Sequence, residues 1–162
     1  MNSNLSTNEL EVRAPYSGER LGTVPQADAD QVEAALERAY QRYLDPDQWL
    51  PVHQRVSILN RTAELLQRNR KALALQAASE GGKPLTDSLV EADRAIDGVR
   101  LAAETIRHDA GQVIPMQSTA AGSGRLAYTQ KQPIGVVVAV SAFNHPLNLI
   151  VHQVAAAVAA GC

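Results

Sequence analysis

The sequence predicts an α/β fold rich in helix, and three features carry that prediction. Residues 133–162, PIGVVVAVSAFNHPLNLIVHQVAAAVAAGC, read as a buried strand over 134–140, a polar-aromatic loop over 141–145 and an apolar helix over 146–160. Strand, short loop and helix form the half-unit of α/β sheets, in which ligands gather beyond the carboxyl ends of the strands. Upstream, apolar residues recur at helical spacing through most of residues 30–108. Alanine is abundant and aromatic residues make up only 4% of the chain, which favours closely packed helices over an all-β sandwich. The loop Ser141-Ala142-Phe143-Asn144-His145, at the end of the expected strand, is the first place to look for a reacting centre.

Residues 1–9 are polar and are expected to fray. Two short runs, 10–13 and 20–24, flank the turn cluster Pro15-Tyr16-Ser17-Gly18-Glu19 and predict a hairpin. Asp28 or Asp30 opens the first helix, whose apolar stripe is Val32, Leu36, Ala39, Tyr40 and Tyr43; Asp45-Pro46-Asp47 stops it. Trp49 lies in the connection, and Pro51 suits the start of the next helix. There Val56, Leu59, Ala63 and Leu66 face inward, while Arg55, Arg61, Glu64, Gln67 and Arg68 form a polar face. Residues 71–80 continue helically until Gly81-Gly82-Lys83-Pro84 breaks the pattern. A long helix over about 85–108 follows, striped by Leu89, Ala92, Ile96, Val99, Ala103 and Ile106 and ended by Gly111. Val113-Ile114-Pro115 is short and extended, and residues 125–132 alternate apolar and polar as an exposed or edge strand does. An edge of that kind needs a cover or a partner chain.

Composition bounds the function. A 45% apolar and 20% charged chain is an ordinary globular protein, and a net charge of −2 leaves no footprint for nucleic acid or anionic membrane. The apolar region 134–160 is interrupted by Ser141, Asn144, His145, Asn148, His152 and Gln153 and broken by Pro146, so it reads as core and not as a membrane span. The start of the chain has neither a basic segment nor an apolar run, so no secretory signal is expected. One cysteine excludes an internal disulfide framework and a multi-cysteine metal site, and fits a cytoplasmic protein. His145 and His152, seven apart without a carboxylate or cysteine nearby in sequence, make a poor metal site, so no metal is expected. Lys83 beside Gly82 lacks the spacing of a phosphate-binding loop, and the acidic residues between 87 and 97 are assigned to the solvated side of their helix.

Several short segments, taken together and in order, resemble the N-terminal part of the NAD(P)-dependent aldehyde dehydrogenases. They are Pro15-Tyr16-Ser17-Gly18-Glu19 with Gly22-Thr23-Val24-Pro25; Trp49; Arg55 with Ile58-Leu59; Glu80-Gly81-Gly82-Lys83-Pro84; Pro133-Ile134-Gly135-Val136-Val137; and Phe143-Asn144-His145-Pro146-Leu147. The resemblance runs from about Ala14 to Cys162. It implies the N-terminal part of a Rossmann-like domain, helix-rich with an oligomerisation-arm strand. Its expected parts are a flexible start at 1–9, hairpin and helices of the cofactor-binding domain at 10–111, the arm at 112–132, and the first strand-loop-helix of the cofactor-binding core at 133–162. It also implies NAD or NADP as cofactor, a small aldehyde as substrate, and a homo-oligomer, dimer or tetramer. The family's reaction passes through a cysteine thiohemiacetal, hydride transfer to nicotinamide and hydrolysis of a thioester to the carboxylic acid.

On this resemblance Asn144 matches the asparagine whose amide helps to hold the oxyanion. Val140, Ser141, Ala142 and Phe143 match the segment that lies against the cofactor. Read from spacing alone, Asn144 is either a helix cap or a donor to transient negative charge, and a neutral amide suits the second task because it adds no fixed charge. Two positions depart from the pattern: Ala142 stands where the family often has proline, and His145 where it often has an aromatic residue. His145 is either a pocket hydrogen-bonder or a tolerated substitution. Segment 144–148 resembles members acting on small polar aldehydes, such as lactaldehyde-like or phosphonate-bearing ones. Three parts that the family's chemistry requires have no counterpart among these residues: the glycine-bearing cofactor turn, the general-base glutamate and the nucleophilic cysteine. Cys162 follows a helix C-terminus, where the dipole disfavours a thiolate, so it is not the nucleophile. The alternative is a non-catalytic interaction protein that packs with full-length subunits through its arm and apolar helices.

Overall fold

Residues 8–162 are described in the computed structural model; of the segment 1–9 expected to fray, 1–7 lie outside the described residues, whereas Asn8 and Glu9 are held in a strand by pairing with Gln26 and Pro25. The predicted hairpin forms from β1 (Asn8–Arg13) and β2 (Arg20–Gln26), antiparallel, with Leu10 opposite Val24 and Val12 opposite Gly22. Asp28 caps α1 (Ala29–Leu44): its carboxylate accepts the Gln31 N–H at 2.8 Å while the Gln31 side chain accepts the Asp28 N–H at 3.0 Å. The apolar stripe of α1 finds little cover, and none of its residues is buried. Its end is pinned instead by Trp49, which follows the short 3-10 turn Pro46–Gln48. The Trp49 ring stacks on Tyr43, and its indole N–H donates to the Tyr43 carbonyl at 2.9 Å.

The core is a three-helix layer. Pro51 precedes α2 (Val52–Gly81), which runs unbroken through both of the segments read as helical from the sequence. It ends because Gly82 adopts φ +64°, a left-handed conformation that costs a glycine least. A Cβ on Gly82 would lie 2.7 Å from the Cγ of Pro15, so this turn also seats the hairpin. After Pro84, α3 (Leu85–Arg107) turns back along α2. Arg70 bonds Asp93 and Arg100 reaches Gln67, an order that makes the two helices antiparallel. The third helix, α4 (Pro146–Ala160), completes the cluster of Leu59, Ala63, Val99, Ala103, Ala155 and Ala159, with Leu66, Ile106 and Val151 packed around it. Four of these six buried residues are alanines, which brings the helix axes close. Arg55 does not belong to a polar outer face as expected. It is half-buried and donates to the carbonyl of Ala159 near the C-terminus of α4.

Two expected strands change. Residues 134–140 form no strand and, apart from buried Gly135 and half-buried Ala139, are exposed: Ile134 is 86% exposed and Val140 74%. A strand buried on both faces needs paired strands beside it, and the sheets among the described residues are only β1–β2 and β3–β4. The alternating run 125–132 contributes just β4 (Ala127–Tyr128), because its partner β3 (Val113–Ile114) offers two residues for pairing. The architecture is thus helix-rich α/β with small antiparallel sheets, and no described helix is long and apolar enough to cross a membrane.

Candidate active site

The loop 141–145 reaches the core at the start of α4. Pro146 occupies the first helical position and has no N–H to satisfy; His145 is the N-cap residue, and its side chain makes no capping bond. The first free amides, Leu147 and Asn148, donate instead to one carboxylate oxygen of Glu91, at 2.7 and 3.0 Å. Glu91 comes from α3 and is only 2% exposed. Its other oxygen accepts from the Lys83 ammonium, which also donates to the Asn144 carbonyl at 3.2 Å and lies 3.5 Å from His145 Nδ1. His145 Nδ1 is 3.6 Å from the same Glu91 oxygen. Burial by itself raises the Glu91 pKa. The Lys83 hydrogen bond, the Asn148 and Leu147 amides and the lysine charge more than reverse this, so the carboxyl is held below its ordinary value.

Glu91 corrects the sequence reading of its helix. Asp87, Asp93 and Asp97 do face solvent, but Glu91 belongs to the buried stripe. The signal was its position, three residues after Ser88 and four before Ala95, both of which are buried. Lys83, which lacks the spacing of a phosphate-binding loop, is likewise drawn inward, its side chain only 15% exposed.

Asn144 itself is exposed, and the helix amides that a capping asparagine would take are bonded to Glu91. Before it, Gln153 of α4 clamps Val140 from both sides: its Oε1 accepts the Val140 N–H at 2.8 Å and its Nε2 donates to the Val140 carbonyl at 2.8 Å. Gln153 had registered in the sequence only as an interruption of an apolar run. The Ser141 hydroxyl donates to the Pro146 carbonyl at 3.0 Å. Between these ties Ala142 is half-buried and Phe143 is 90% exposed. The five residues singled out from the sequence therefore form one lip, fastened at Val140 by Gln153 and at Asn144 by Lys83. Cys162 is exposed beyond Gly161 at the opposite, C-terminal end of α4. Among the described residues no group of three His, Cys, Asp or Glu side chains is placed to hold a metal ion.

The same order of hairpin, helices, short ribbon and lip recurs in known proteins. Residues 2–162 match the aldehyde dehydrogenase family. Over 154 residues the chain is 33% identical to aspartate-semialdehyde dehydrogenase 1 of Pseudomonas canavaninivorans, covering 94% of this chain and 32% of that protein. It superposes with TM-score 0.90 on aldehyde dehydrogenase 21 of Physcomitrella patens, solved with the reaction product succinate, at 31% identity over 100% of this chain and 33% of that one. With glyceraldehyde-3-phosphate dehydrogenase of Methanocaldococcus jannaschii, solved with NADP, the TM-score is 0.83 at 31% identity over 94% of this chain and 32% of that one. The fold is that of the N-terminal part of the Rossmann-like aldehyde dehydrogenase domain. The chain belongs to the aldehyde dehydrogenase family, and it spans about a third of the length of the relatives it matches.

Proposed function

We propose that this chain is the N-terminal segment of a cytoplasmic NAD(P)-dependent aldehyde dehydrogenase that oxidises a small polar aldehyde to its carboxylic acid. The observation that carries this reading is the Asn144 lip: in a chain of this family, an exposed asparagine relieved of helix capping follows an apolar segment whose backbone is held by Gln153. The residues fit a nicotinamide cofactor. Val140 and Phe143 present exposed apolar surface, and no charged side chain stands in segment 140–143. Bound NAD(P)+ would supply the hydride acceptor. Asn144 then donates its amide N–H to the aldehyde oxygen as the carbonyl carbon becomes tetrahedral and that oxygen gains charge. Because the donor is neutral, it favours the charged state without holding an anion in the resting site. Val140, Ser141, Ala142 and Phe143 form the wall against which the cofactor rests.

The nucleophilic cysteine, the general base and the glycine turn of the cofactor site are supplied by residues outside these 162. Residues 10–111 form the hairpin and helices of the cofactor-binding domain, 112–132 the arm through which subunits join as a dimer or tetramer, and 133–162 the start of the cofactor-binding core. The relatives support a small polar substrate, since aspartate semialdehyde and glyceraldehyde 3-phosphate carry acidic groups and lactaldehyde an uncharged hydroxyl. The test is aldehyde-dependent NAD(P)H formation by a full-length enzyme carrying this chain, assayed with four-carbon semialdehydes, lactaldehyde and phosphorylated aldehydes. Turnover is expected with at least one of them, and none from the 162-residue chain alone. Turnover by the short chain refutes the assignment of the missing parts; a full-length protein inert to all of them refutes the activity.

One observation favours a second reading, a non-catalytic partner of full-length subunits: the exposed valines of 136–140 and Phe143 offer apolar surface to another chain. A reading frame that continues past Cys162 into a valine-rich strand with Lys-Pro supports the enzyme, and a stop codon there supports the partner.

A further inference from the structure

The chemistry above leaves unused the most deeply buried charges of the site. The Lys83–Glu91 pair is 15% and 1% exposed at its side chains, and burying two ions is costly unless their remaining hydrogen-bonding capacity is also met. Here it is met by the Asn144 loop and the first turn of α4 that follows it. Glu91 takes the Leu147 and Asn148 amides, and Lys83 takes the Asn144 carbonyl, with His145 Nδ1 at the edge of reach. The Asn144 carbonyl before His145 and the Leu147 and Asn148 amides after it are thereby tied to the turn before α3 and to α3, 56 to 61 positions away in sequence. The same turn approaches from below: a Cβ on Gly81 would stand 4.0 Å from the Phe143 carbonyl. Backbone is fixed at Asn144 and just after it, and the Asn144 side chain is left as the free polar group of the lip.

We propose that Lys83 and Glu91 are positioning residues that aim the Asn144 amide at the developing oxyanion, an inference that rests on the oxyanion reading of Asn144. A lysine suits the task because one ammonium carries three donors and can join a carboxylate and a carbonyl at once. The carboxylate suits it because a helix N-terminus carries partial positive charge and unpaired amides, which an anion satisfies without a residue of the loop itself. The pair acts through Asn144, and displacing a donor by as little as an ångström reduces turnover by up to about 100-fold.

A double-mutant cycle in the full-length enzyme tests this. The paired substitution Lys83→Met with Glu91→Gln removes both charges together, so neither is left buried alone, and it keeps a neutral acceptor for Leu147 and Asn148. In the wild-type background it is expected to lower kcat about 10- to 100-fold, with KM for NAD(P)+ changed less than about twofold. In an Asn144→Ala background the same pair should change kcat less than about twofold, because the group it positions is already gone. Arg70→Ala, which breaks an ion pair on the outer side of the same two helices, is the control for general loosening and should behave alike in both backgrounds. Equal losses from the pair in both backgrounds, or no loss in either, overturn the positioning role. If Asn144→Ala itself leaves kcat intact, the oxyanion reading falls and takes this inference with it; if Asn144→Ala is damaging but the cycle is additive, only the inference falls. Should the double variant not fold, the cycle with Glu91→Gln alone decides by the same criterion.

Discussion

Asn144→Ala separates two roles that an asparagine before a helix can play. If the side chain capped α4, its loss would cost about 0.5–2 kcal/mol of stability. The structure assigns that cost elsewhere: the Leu147 and Asn148 amides are bonded to Glu91 at 2.7 and 3.0 Å, and Asn144 is exposed. An exposed substitution away from caps and core typically changes stability by no more than about 0.5 kcal/mol. For a domain of 150–250 residues that is a shift of about 1–2 °C in Tm. Turnover should fall about 10²- to 10³-fold, the usual loss for one oxyanion donor, while NAD(P)+ affinity stays nearly constant. Differential scanning calorimetry, cofactor titration and single-turnover kinetics on the full-length enzyme give the three numbers. A drop of several degrees in Tm with single-turnover chemistry nearly unchanged would refute the reasoning and return Asn144 to the role of a cap.

Other outcomes follow from the same contacts. Because the Glu91 pKa is lowered in the folded state, its ionised form stabilises the fold above the ordinary glutamate pKa of about 4.3, and that stabilisation fades as pH falls through the lower folded value. The Tm advantage of the native protein over Glu91→Gln should accordingly shrink as pH is taken from about 6 to below 4, and an advantage independent of pH would contradict the assignment. Leu59→Ala, at the centre of the three-helix cluster, should cost about 2–5 kcal/mol in urea unfolding. Gly82→Ala places a Cβ 2.7 Å from Pro15 Cγ at φ +64°, and should cost about 1–3 kcal/mol with faster amide exchange in the β1–β2 hairpin.

The helices were legible in the sequence because their signals are local. Asp28 caps α1 within three residues, Gly82 and Pro84 punctuate α2 and α3, and the stripe from Leu89 to Ile106 repeats at helical spacing. The site was half legible. The lip 140–144 stands out as polar and aromatic residues inside an apolar run, but its fastenings do not. Glu91 looks like any acid on an amphipathic helix until its partners are known, and those lie 56 and 57 positions away. Gln153 looks like a polar interruption until Val140, 13 residues earlier, is seen folded against it. Strand character at 134–140 was read from composition, whereas a strand is a relation between segments, and among the described residues this one has no neighbour to pair with.

The helix α4 is gripped at both ends by side chains of opposite sign, Glu91 at its first amides and Arg55 at its last carbonyls, each matched to the pole it meets. Fifteen residues span about 22 Å, so the two grips are widely separated points on one rod. A rod held at two points neither slides along its axis nor tilts without breaking one grip. Any rearrangement that moves the proposed cofactor wall must therefore bend the lip at Ala142 and Phe143 or carry α2, α3 and α4 together as a single body. Within this segment, the freedom to gate belongs to two residues of loop and not to the helix behind them.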